Sequence, residues 1–532
     1  MTPLYVAAEK ILSDVEPLPD NWPVSGTTGY DFMNAVNHLF VSRENARAID
    51  EIYARFIGRE LDFEAIVVAS KDRIMDTALA SEINALSHQL ERITERNRRY
   101  RDFTLNSVTD ALRYVLLYLG IYRTYITEAA VVSDRDRDFI KAAVKAARAN
   151  HRTVAGALFD FIEDTLLLNN LQDFAERDRQ AVIDAVMKIQ QVSSPIMAKS
   201  VEDTTFYVYN RLVALNEVGG HPDQIGIPVS AFHAQNQERL REWRHSMLSS
   251  STHDTKRAED TRARISVLSE IPSEWEAAVQ AWAALNAGAR TAVENRSLPD
   301  PNDEYLMYQV MIGALPFGDL TPDALADFRE RIAAYMGKAV QEAKVHTSWL
   351  NPSETYLGAV DRFVRGVLAD GDNPFLAAFV PFQRRVAYFA QFNSLSQTLL
   401  KLTSPGVPDI YQGTELWDFS LVDPDNRRPV DYELRRRLVA ELNARAGEPE
   451  ALAAERLDSS EDGRIKLYVM YRALMLRRDQ PDLFAQGDYA PLEVHGAKWN
   501  HVVAYARIHE DSRVLTVVPR LTASLMGGDQ RP

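Results

Sequence analysis

Four short apolar segments of the chain each lead directly into a cluster of polar or charged residues. Such a run is typical of a buried parallel strand, and polar groups at the C-terminal ends of several strands are typical of the active-site face of a (β/α) barrel. A closed barrel needs eight strands, so these segments predict an α/β fold containing half a barrel. The segments are 4–8 before Glu9 and Lys10, 195–198 before Lys199, Glu202 and Asp203, 247–248 before His253 and Asp254, and 408–411 before Gln412 and Glu415.

Most of the sequence between the first two segments has the periodicity of helices. Val182, Val186 and Ile189 recur at intervals of four and three residues, which places them on one face of a helix. A stretch rich in alanine and lysine, 138–150, predicts another helix, and a second helical region is predicted between Asp254 and about residue 367. We therefore expect large helical insertions in the half barrel.

Two alternating apolar runs near the end of the chain, HVVAYARI (501–508) and RVLTVVPRL (513–521), predict antiparallel strands. They are expected to form a C-terminal β domain that begins near Gly487. We expect this domain to be truncated, because no further strand is predicted after these two runs and a sheet of two or three strands is only marginally stable alone. The predicted division is a barrel strand and loop over 1–30, a helical subdomain over 31–192, the remaining barrel half with its insertion over 193–433, and helices with a partial β domain over 434–532.

A net charge of −15 argues against nucleic acid as a partner, because phosphate binding needs a basic face. The densest basic run, RNRRYR (96–101), is expected to be solvated helix surface. The chain contains no cysteine, which excludes disulfides and thiol catalysis. No long apolar stretch predicts a membrane span, and the first residues lack the pattern of a signal peptide. We therefore expect a cytoplasmic protein with a neutral substrate.

Glu9 and Asp254 are carboxylates predicted to lie at strand ends, where such groups serve as general acids and stabilise charge in glycosidic chemistry. Without the family resemblance, the sequence also allows a purely structural role for each of these two carboxylates. Glu9 can form a surface ion pair with a neighbouring lysine, and Asp254 can be the N-cap of the next helix. No HExxH, phosphate-loop or GxSxG pattern occurs, and the glycines of GTTG (26–29) predict a turn. We expect no metal and no cofactor.

Five longer motifs resemble maltooligosyl trehalose synthases of the α-amylase superfamily, and they occur in the family's order over nearly the whole chain. The resemblance implies the C-terminal half of a (β/α)8 TIM barrel, about strands 5 to 8. It also implies an isomerase of trehalose biosynthesis, which converts the reducing-end α-1,4 bond of malto-oligosaccharides or glycogen-derived glucan into an α,α-1,1 bond. The motifs are EKILSDVEPLPDNWPVSGTTGYDFMN (9–34), YRTY (122–125), AKSVEDTTFYVYNRLVALNEVGG (198–220), SSTHDTKRAEDTRARI (250–265) and SPGVPDIYQGTELWDFSLVDPDNRRPVDY (404–432).

Carried over to the matching positions, the resemblance makes Glu9 the general acid/base and Asp254 a third carboxylate that binds hydroxyls of the sugar at the cleavage point. His253 matches the neighbouring sugar-binding histidine. The other candidates for substrate binding are Lys199, Glu202 and Asp203 around the acceptor glucose, Tyr30 as an aromatic wall or a core aromatic, and Arg123 and Arg257 as sugar contacts or structural ion pairs.

The family's nucleophilic aspartate lies in a motif resembling GFRIDHIDGL at the end of the fourth strand, and no such motif occurs in this sequence. The resemblance therefore implies a fragment that is inactive alone and that pairs with a separate N-terminal half-barrel chain. It also implies that the product passes to a maltooligosyl trehalose trehalohydrolase. Two other functions stay open: a non-catalytic glucan-binding remnant, and an α-1,4-glucan hydrolase or transferase of the same superfamily.

Overall fold

The computed structural model describes residues 4–13, 16–129, 131–293 and 296–527, and it consists mainly of helices. Two compact units divide the chain. The second unit is formed by Leu12–Pro17 and Asp62–Val208, and the first by Leu18–Leu61 together with the chain before Leu12 and from Tyr209 onward. Within the described ranges, no helix is both long enough and apolar enough to cross a membrane. The four-part domain scheme stays a prediction.

The α-helices are α1 (Tyr30–Leu39), α2 (Ala46–Ile57), α3 (Phe63–Asp76), α4 (Ala80–Glu95), α5 (Leu105–Leu117), α6 (Asp134–Asn150), α7 (Gly156–Leu166), α8 (Glu176–Met197), α9 (Phe206–Val208), α10 (Val229–Glu242), α11 (Glu259–Val267), α12 (Pro272–Leu285), α13 (Pro301–Ala314), α14 (Pro322–Ala343), α15 (Glu354–Val367), α16 (Pro374–Thr403), α17 (Tyr432–Ala444), α18 (Pro449–Asp458), α19 (Arg464–Asp479), α20 (Pro481–Ala485) and α21 (Thr522–Leu525). The strands are β1 (Met247–Leu248), β2 (Thr291–Val293), β3 (Arg296–Leu298), β4 (Val407–Pro408), β5 (Asp488–Pro491), β6 (Val502–His509) and β7 (Ser512–Pro519).

The second unit is a set of helices around one apolar core, to which α4 to α8 contribute buried side chains. In α8, Val182, Val186 and Ile189 are buried on one face, which confirms the helix predicted there. The helix predicted over 138–150 is confirmed as the larger part of α6. Ser133 caps the N-terminus of α6 by accepting a hydrogen bond from the first turn, which satisfies one of the unpaired amides.

In the first unit, four short extended segments lie side by side. Ala8 pairs in parallel with Thr27, and the Thr27 carbonyl accepts a hydrogen bond from the Met247 amide at 3.0 Å. Strand β1 then pairs in parallel with β4, with Met247 opposite Val407. Three of the four apolar runs singled out in the sequence therefore contribute extended segments to this arrangement.

The strand predicted at 195–198 is wrong, because these residues form the end of α8 and the start of a π-helix, Ala198–Thr205. Ile196 extends the buried stripe of α8 that includes Ile189 and Ser193, so the helical period continues through Pro195. A run of four residues is too short to distinguish a buried strand from the last turn of a buried helix.

The extended segment that the sequence analysis missed is 25–28, which lies between residues 4–8 and β1. Its motif GTTG was predicted to be a turn, but its glycines serve a close approach of two backbones. Gly26 and Gly29 have φ values of +139° and +94°, and a Cβ added at Gly29 would lie 2.6 Å from the amide nitrogen of Ser249. Only glycine tolerates this combination of conformation and contact.

The strands β5, β6 and β7 form an antiparallel sheet in that order, which confirms the two strands predicted near the end of the chain. Val503 and Tyr505 of β6 share a buried cluster with Phe32 and Val36 of α1 and Leu400 of α16. Each such side chain contributes roughly 1.5–3 kcal/mol when it is fully buried. A sheet that would be marginal alone is therefore stabilised by the helices beneath it.

Candidate active site

Glu9, His253 and Asp254 come together at one end of the extended segments. Glu9 follows residues 4–8, and His253 and Asp254 lie on the loop that follows β1. One ligand atom from each of the three side chains lies within 4.8 Å of the others, although more than 240 residues separate Glu9 from the other two. Residues 4–8 and β1 lie on the two sides of segment 25–28, and side chains that follow parallel segments meet at the same edge, as in the active sites of barrel enzymes.

All three side chains are exposed, so a sugar can reach them. His253 Nε2 lies 3.4 Å from Asp254 Oδ2. Asp254 is not a helix N-cap, because α11 begins at Glu259 and Ala258 is its cap residue. Each of the three groups also offers a donor atom to a cation, and among the described residues no other set of histidines and carboxylates converges in this way.

The loop that carries His253 and Asp254 is a tight turn closed by threonine side chains. The Asp254 amide donates to Thr252 Oγ1 at 3.1 Å, and the Thr255 hydroxyl donates to the Thr252 carbonyl at 2.9 Å. The side-chain amide of Asn426 donates to the His253 carbonyl at 3.0 Å. These bonds fix the backbone of the turn and leave the side chains of His253 and Asp254 facing solvent.

Tyr30 and Arg257, predicted to bind substrate, are both buried. The Tyr30 hydroxyl lies 3.2 Å from Thr252 Oγ1, so Tyr30 contacts the loop from within the core. The Arg257 guanidinium donates to the Tyr335 hydroxyl at 2.7 Å. These positions favour the core and structural roles that the sequence left open for the two residues.

Three of the other predicted residues lie in the second unit, on the π-helix Ala198–Thr205. Lys199 and Asp203 form an ion pair of 2.7 Å across one turn, and the Lys199 side chain is exposed. Glu202 lies on the same element and is half-buried. Their role in substrate binding stays a prediction.

In the second unit, two of the motifs that resemble the synthases contact each other. The Tyr122 hydroxyl, in YRTY, donates a hydrogen bond to Glu202 on the π-helix. The guanidinium carbon of Arg123 lies 5.0 Å from the ring centre of Tyr125, which is within the range of a cation–π contact. Arg123 is half-buried.

A buried network of charges lies beneath the loop of the first unit. Lys466 Nζ is 2.7 Å from a carboxylate oxygen of Glu259 and 2.7 Å from one of Asp260. Lys401 Nζ donates to Ser250 Oγ at 2.6 Å, and that hydroxyl donates to Glu259. Burial alone would raise the pKa of Glu259, but Lys401 and Lys466 hold it at about 2. The network links α11, α16 and α19 to the start of the loop.

We expect Lys466→Met to lower the free energy of unfolding by about 3–5 kcal/mol, because it leaves buried carboxylates without their shared cation. Denaturant unfolding followed by tryptophan fluorescence measures this loss, since all seven tryptophans lie outside the second unit. The matched control is Lys498→Met, whose exposed side chain should change the stability by at most about 0.5 kcal/mol. Equal, small losses for both variants would contradict the importance of the network.

The chain matches known proteins over nearly its whole length. A curated relative from Mycobacterium tuberculosis (strain CDC 1551 / Oshkosh), named maltooligosyl trehalose synthase, is 32% identical over 522 residues, which are 98% of this chain and 59% of the relative. The solved structure of maltooligosyltrehalose synthase from Arthrobacter ramosus matches with a TM-score of 0.81 and 31% identity, over 98% of this chain and 60% of that one. The chain is a homologue of the maltooligosyl trehalose synthases.

The family resemblance predicted from the motifs is thereby confirmed. The chain spans 59% of the length of the M. tuberculosis synthase, and the remainder of that relative has no counterpart in the match. No model of a known protein family matches the sequence.

Several residues that build the candidate site could not be identified from the sequence. Thr252 and Asn426 shape the loop, and Glu217 accepts hydrogen bonds from the backbone just after it. All three lie inside motifs shared with the synthases, so the motifs carried a signal that residue chemistry alone did not. A threonine or asparagine in a turn is too common to single out without its partner.

Proposed function

We propose that this chain provides the acid/base Glu9 and the sugar-binding pair His253 and Asp254 of a maltooligosyl trehalose synthase. The observation that carries the proposal is the convergence of these three exposed side chains within 4.8 Å, on segments that match the synthases. The reaction is the conversion of the reducing-end α-1,4 bond of a malto-oligosaccharide into an α,α-1,1 bond. The product would then be a substrate for a maltooligosyl trehalose trehalohydrolase.

The fold proposal is that the four extended segments are about strands 5 to 8 of a (β/α)8 barrel. The order 4–8, 25–28, β1 and β4 supports it, because each segment bonds to the next along the chain. The outer segments are also unusually apolar for an exposed position: Leu4 is 86% exposed, Tyr5 48% and Val407 37%. Exposed apolar strands of this kind are expected where further strands complete a barrel.

In the proposed reaction, a carboxylate nucleophile attacks the anomeric carbon of the penultimate glucose while Glu9 protonates the departing oxygen of the terminal glucose. The glycosidic bond breaks, and a covalent glucosyl intermediate forms. The terminal glucose turns, and the oxygen of its anomeric hydroxyl attacks the anomeric carbon of the intermediate. The bond between that carbon and the nucleophile breaks, which releases the carboxylate, and Glu9, now a base, takes the proton of the attacking hydroxyl. Asp254 and His253 bind hydroxyls of the donor sugar during both steps.

The nucleophile of this mechanism has no counterpart in the sequence, since no motif resembling GFRIDHIDGL occurs in it. We propose that the nucleophile belongs to a segment like those of the synthases that have no match here, and that this chain is inactive without it. Retention of the terminal glucose and exclusion of water are then essential, because hydrolysis competes for the same intermediate.

The other assignments to sugar binding are part of the same proposal, and they are Lys199, Glu202, Asp203, Arg123, Tyr30 and Arg257. The ion pair of Lys199 and Asp203 supports it, because an ammonium donates and a carboxylate accepts hydrogen bonds of the kind that sugar hydroxyls make. Tyr30 and Arg257 are the weakest members of the set, since only 3% and 0% of their surfaces are exposed.

Product analysis tests the proposal. Maltopentaose is incubated with the chain and with a separately expressed N-terminal half barrel that carries the nucleophile motif. A non-reducing pentasaccharide, seen as loss of reducing ends without shorter products, is the expected result. New reducing ends would instead identify a glucan hydrolase, and binding without turnover would identify a glucan-binding remnant.

A further inference from the structure

One buried carboxylate holds the backbone that follows His253 and Asp254. Glu217 is completely buried, and its two carboxylate oxygens accept the amide hydrogens of Lys256 at 2.8 Å and Arg257 at 2.9 Å. We infer that Glu217 is a positioning residue that sets where Asp254 stands relative to Glu9. This inference rests on the proposed function for its catalytic meaning, but its structural part can be tested without turnover.

Glu217 is itself tied to the side of the site that carries Glu9. It lies on a turn whose backbone is held by α1, since Asn34 donates to the Val218 carbonyl at 2.9 Å and Asn37 donates to the Ala214 carbonyl at 2.6 Å. Helix α1 directly follows the segment 25–28, which pairs with the residues before Glu9. A continuous set of bonds therefore runs from the Glu9 segment through α1 and Glu217 to the loop of Asp254.

The charge of Glu217 is needed as well as its shape. Arg262 Nη1 lies 3.9 Å from Glu217 Oε1, and both side chains are completely buried. Burial raises the pKa of Glu217, and Arg262 and Arg257 oppose this effect. A glutamine in its place would present one acceptor instead of two, turn an N–H donor toward an amide, and leave the buried guanidinium groups without their counter-charge.

Hydrogen–deuterium exchange of the full chain tests the inference directly. In Glu217→Gln, peptides covering 249–258 are expected to exchange at least about tenfold faster than in the unaltered chain, because two amides lose a charged acceptor. Glu217→Asp keeps the charge but cannot reach both amides, and it should give a smaller local increase. The matched control is Glu270→Gln, since Glu270 is also buried and accepts the Ser524 amide at 3.0 Å, away from the loop.

The second readout is the kinetics of the complemented enzyme, which is this chain assembled with the separately expressed N-terminal half barrel. Glu217→Gln should lower kcat by about 10²-fold with KM within about threefold, because a small misplacement of a catalytic group acts on the transition state. Glu270→Gln should leave both constants within about twofold. Unchanged exchange over 249–258, or faster exchange spread over the whole chain, would overturn the inference. If the complemented enzyme has no synthase activity, the proposed function fails while the exchange result still decides the role of Glu217.

Discussion

Incubated alone with maltopentaose, the chain is expected to form maltooligosyl trehalose roughly 10⁶-fold more slowly than the complemented enzyme, the size of loss seen when a covalent nucleophile is removed elsewhere. The physical reason is that Glu9 can protonate a leaving oxygen, but no carboxylate of this sequence matches the family's nucleophile. Chromatography of the products after long incubation measures the difference.

The control for this prediction is an N-terminal half barrel in which the nucleophilic aspartate is replaced by asparagine. It should assemble with the chain and bind glucan, yet restore no turnover. Rapid synthesis by the chain alone would contradict the account, because it would show that the nucleophile lies within these residues.

Replacement of Glu9 by glutamine in the complemented enzyme is expected to lower kcat by about 10³-fold or more, because general acid–base catalysis contributes about 10²–10⁴-fold and the residue acts in both steps. A substrate whose leaving group needs no proton, such as a maltosyl fluoride, should recover the first step in the variant. Stopped assays of fluoride release and of product formation separate the two effects.

Glu60→Gln is the matched control, because Glu60 is also exposed and lies outside the site. Turnover in Glu9→Gln equal to that of Glu60→Gln would remove Glu9 from the mechanism. A variant that loses both maltopentaose turnover and fluoride release would indicate damage to binding rather than loss of a proton donor.

The sequence predicted elements well where the pattern was long. The helix at 179–191 and the strands near 501–521 follow apolar periodicities over eight or more residues, and the structure confirms them. Short patterns predicted one strand that is a helix and missed one extended segment. Residues 195–198 are helical because they extend an existing buried stripe, and 25–28 is extended although it contains Gly26 and is directly followed by Gly29. In each case the neighbouring segment in space decided the outcome.

The site was predictable only in part for the same reason. Glu9, His253 and Asp254 lie at the ends of apolar runs, so their convergence follows from the parallel packing of the extended segments. The burial of Arg257 and the bonds made by Glu217 depend on residues 39 or more positions away. No local sequence pattern predicts such partners. The sequence of a motif does not show whether a charged side chain in it contacts a sugar or the backbone.

The central claim is that Glu9 and Asp254 act on the same glucosyl unit, and a structure of the complemented Glu9→Gln enzyme with bound maltopentaose tests it most directly. The account predicts that the side chain at position 9 lies within hydrogen-bond distance of the glycosidic oxygen at the reducing end, while Asp254 contacts hydroxyls of the penultimate glucose. A bound oligosaccharide that contacts neither residue, or whose terminal bond lies away from both, would contradict it.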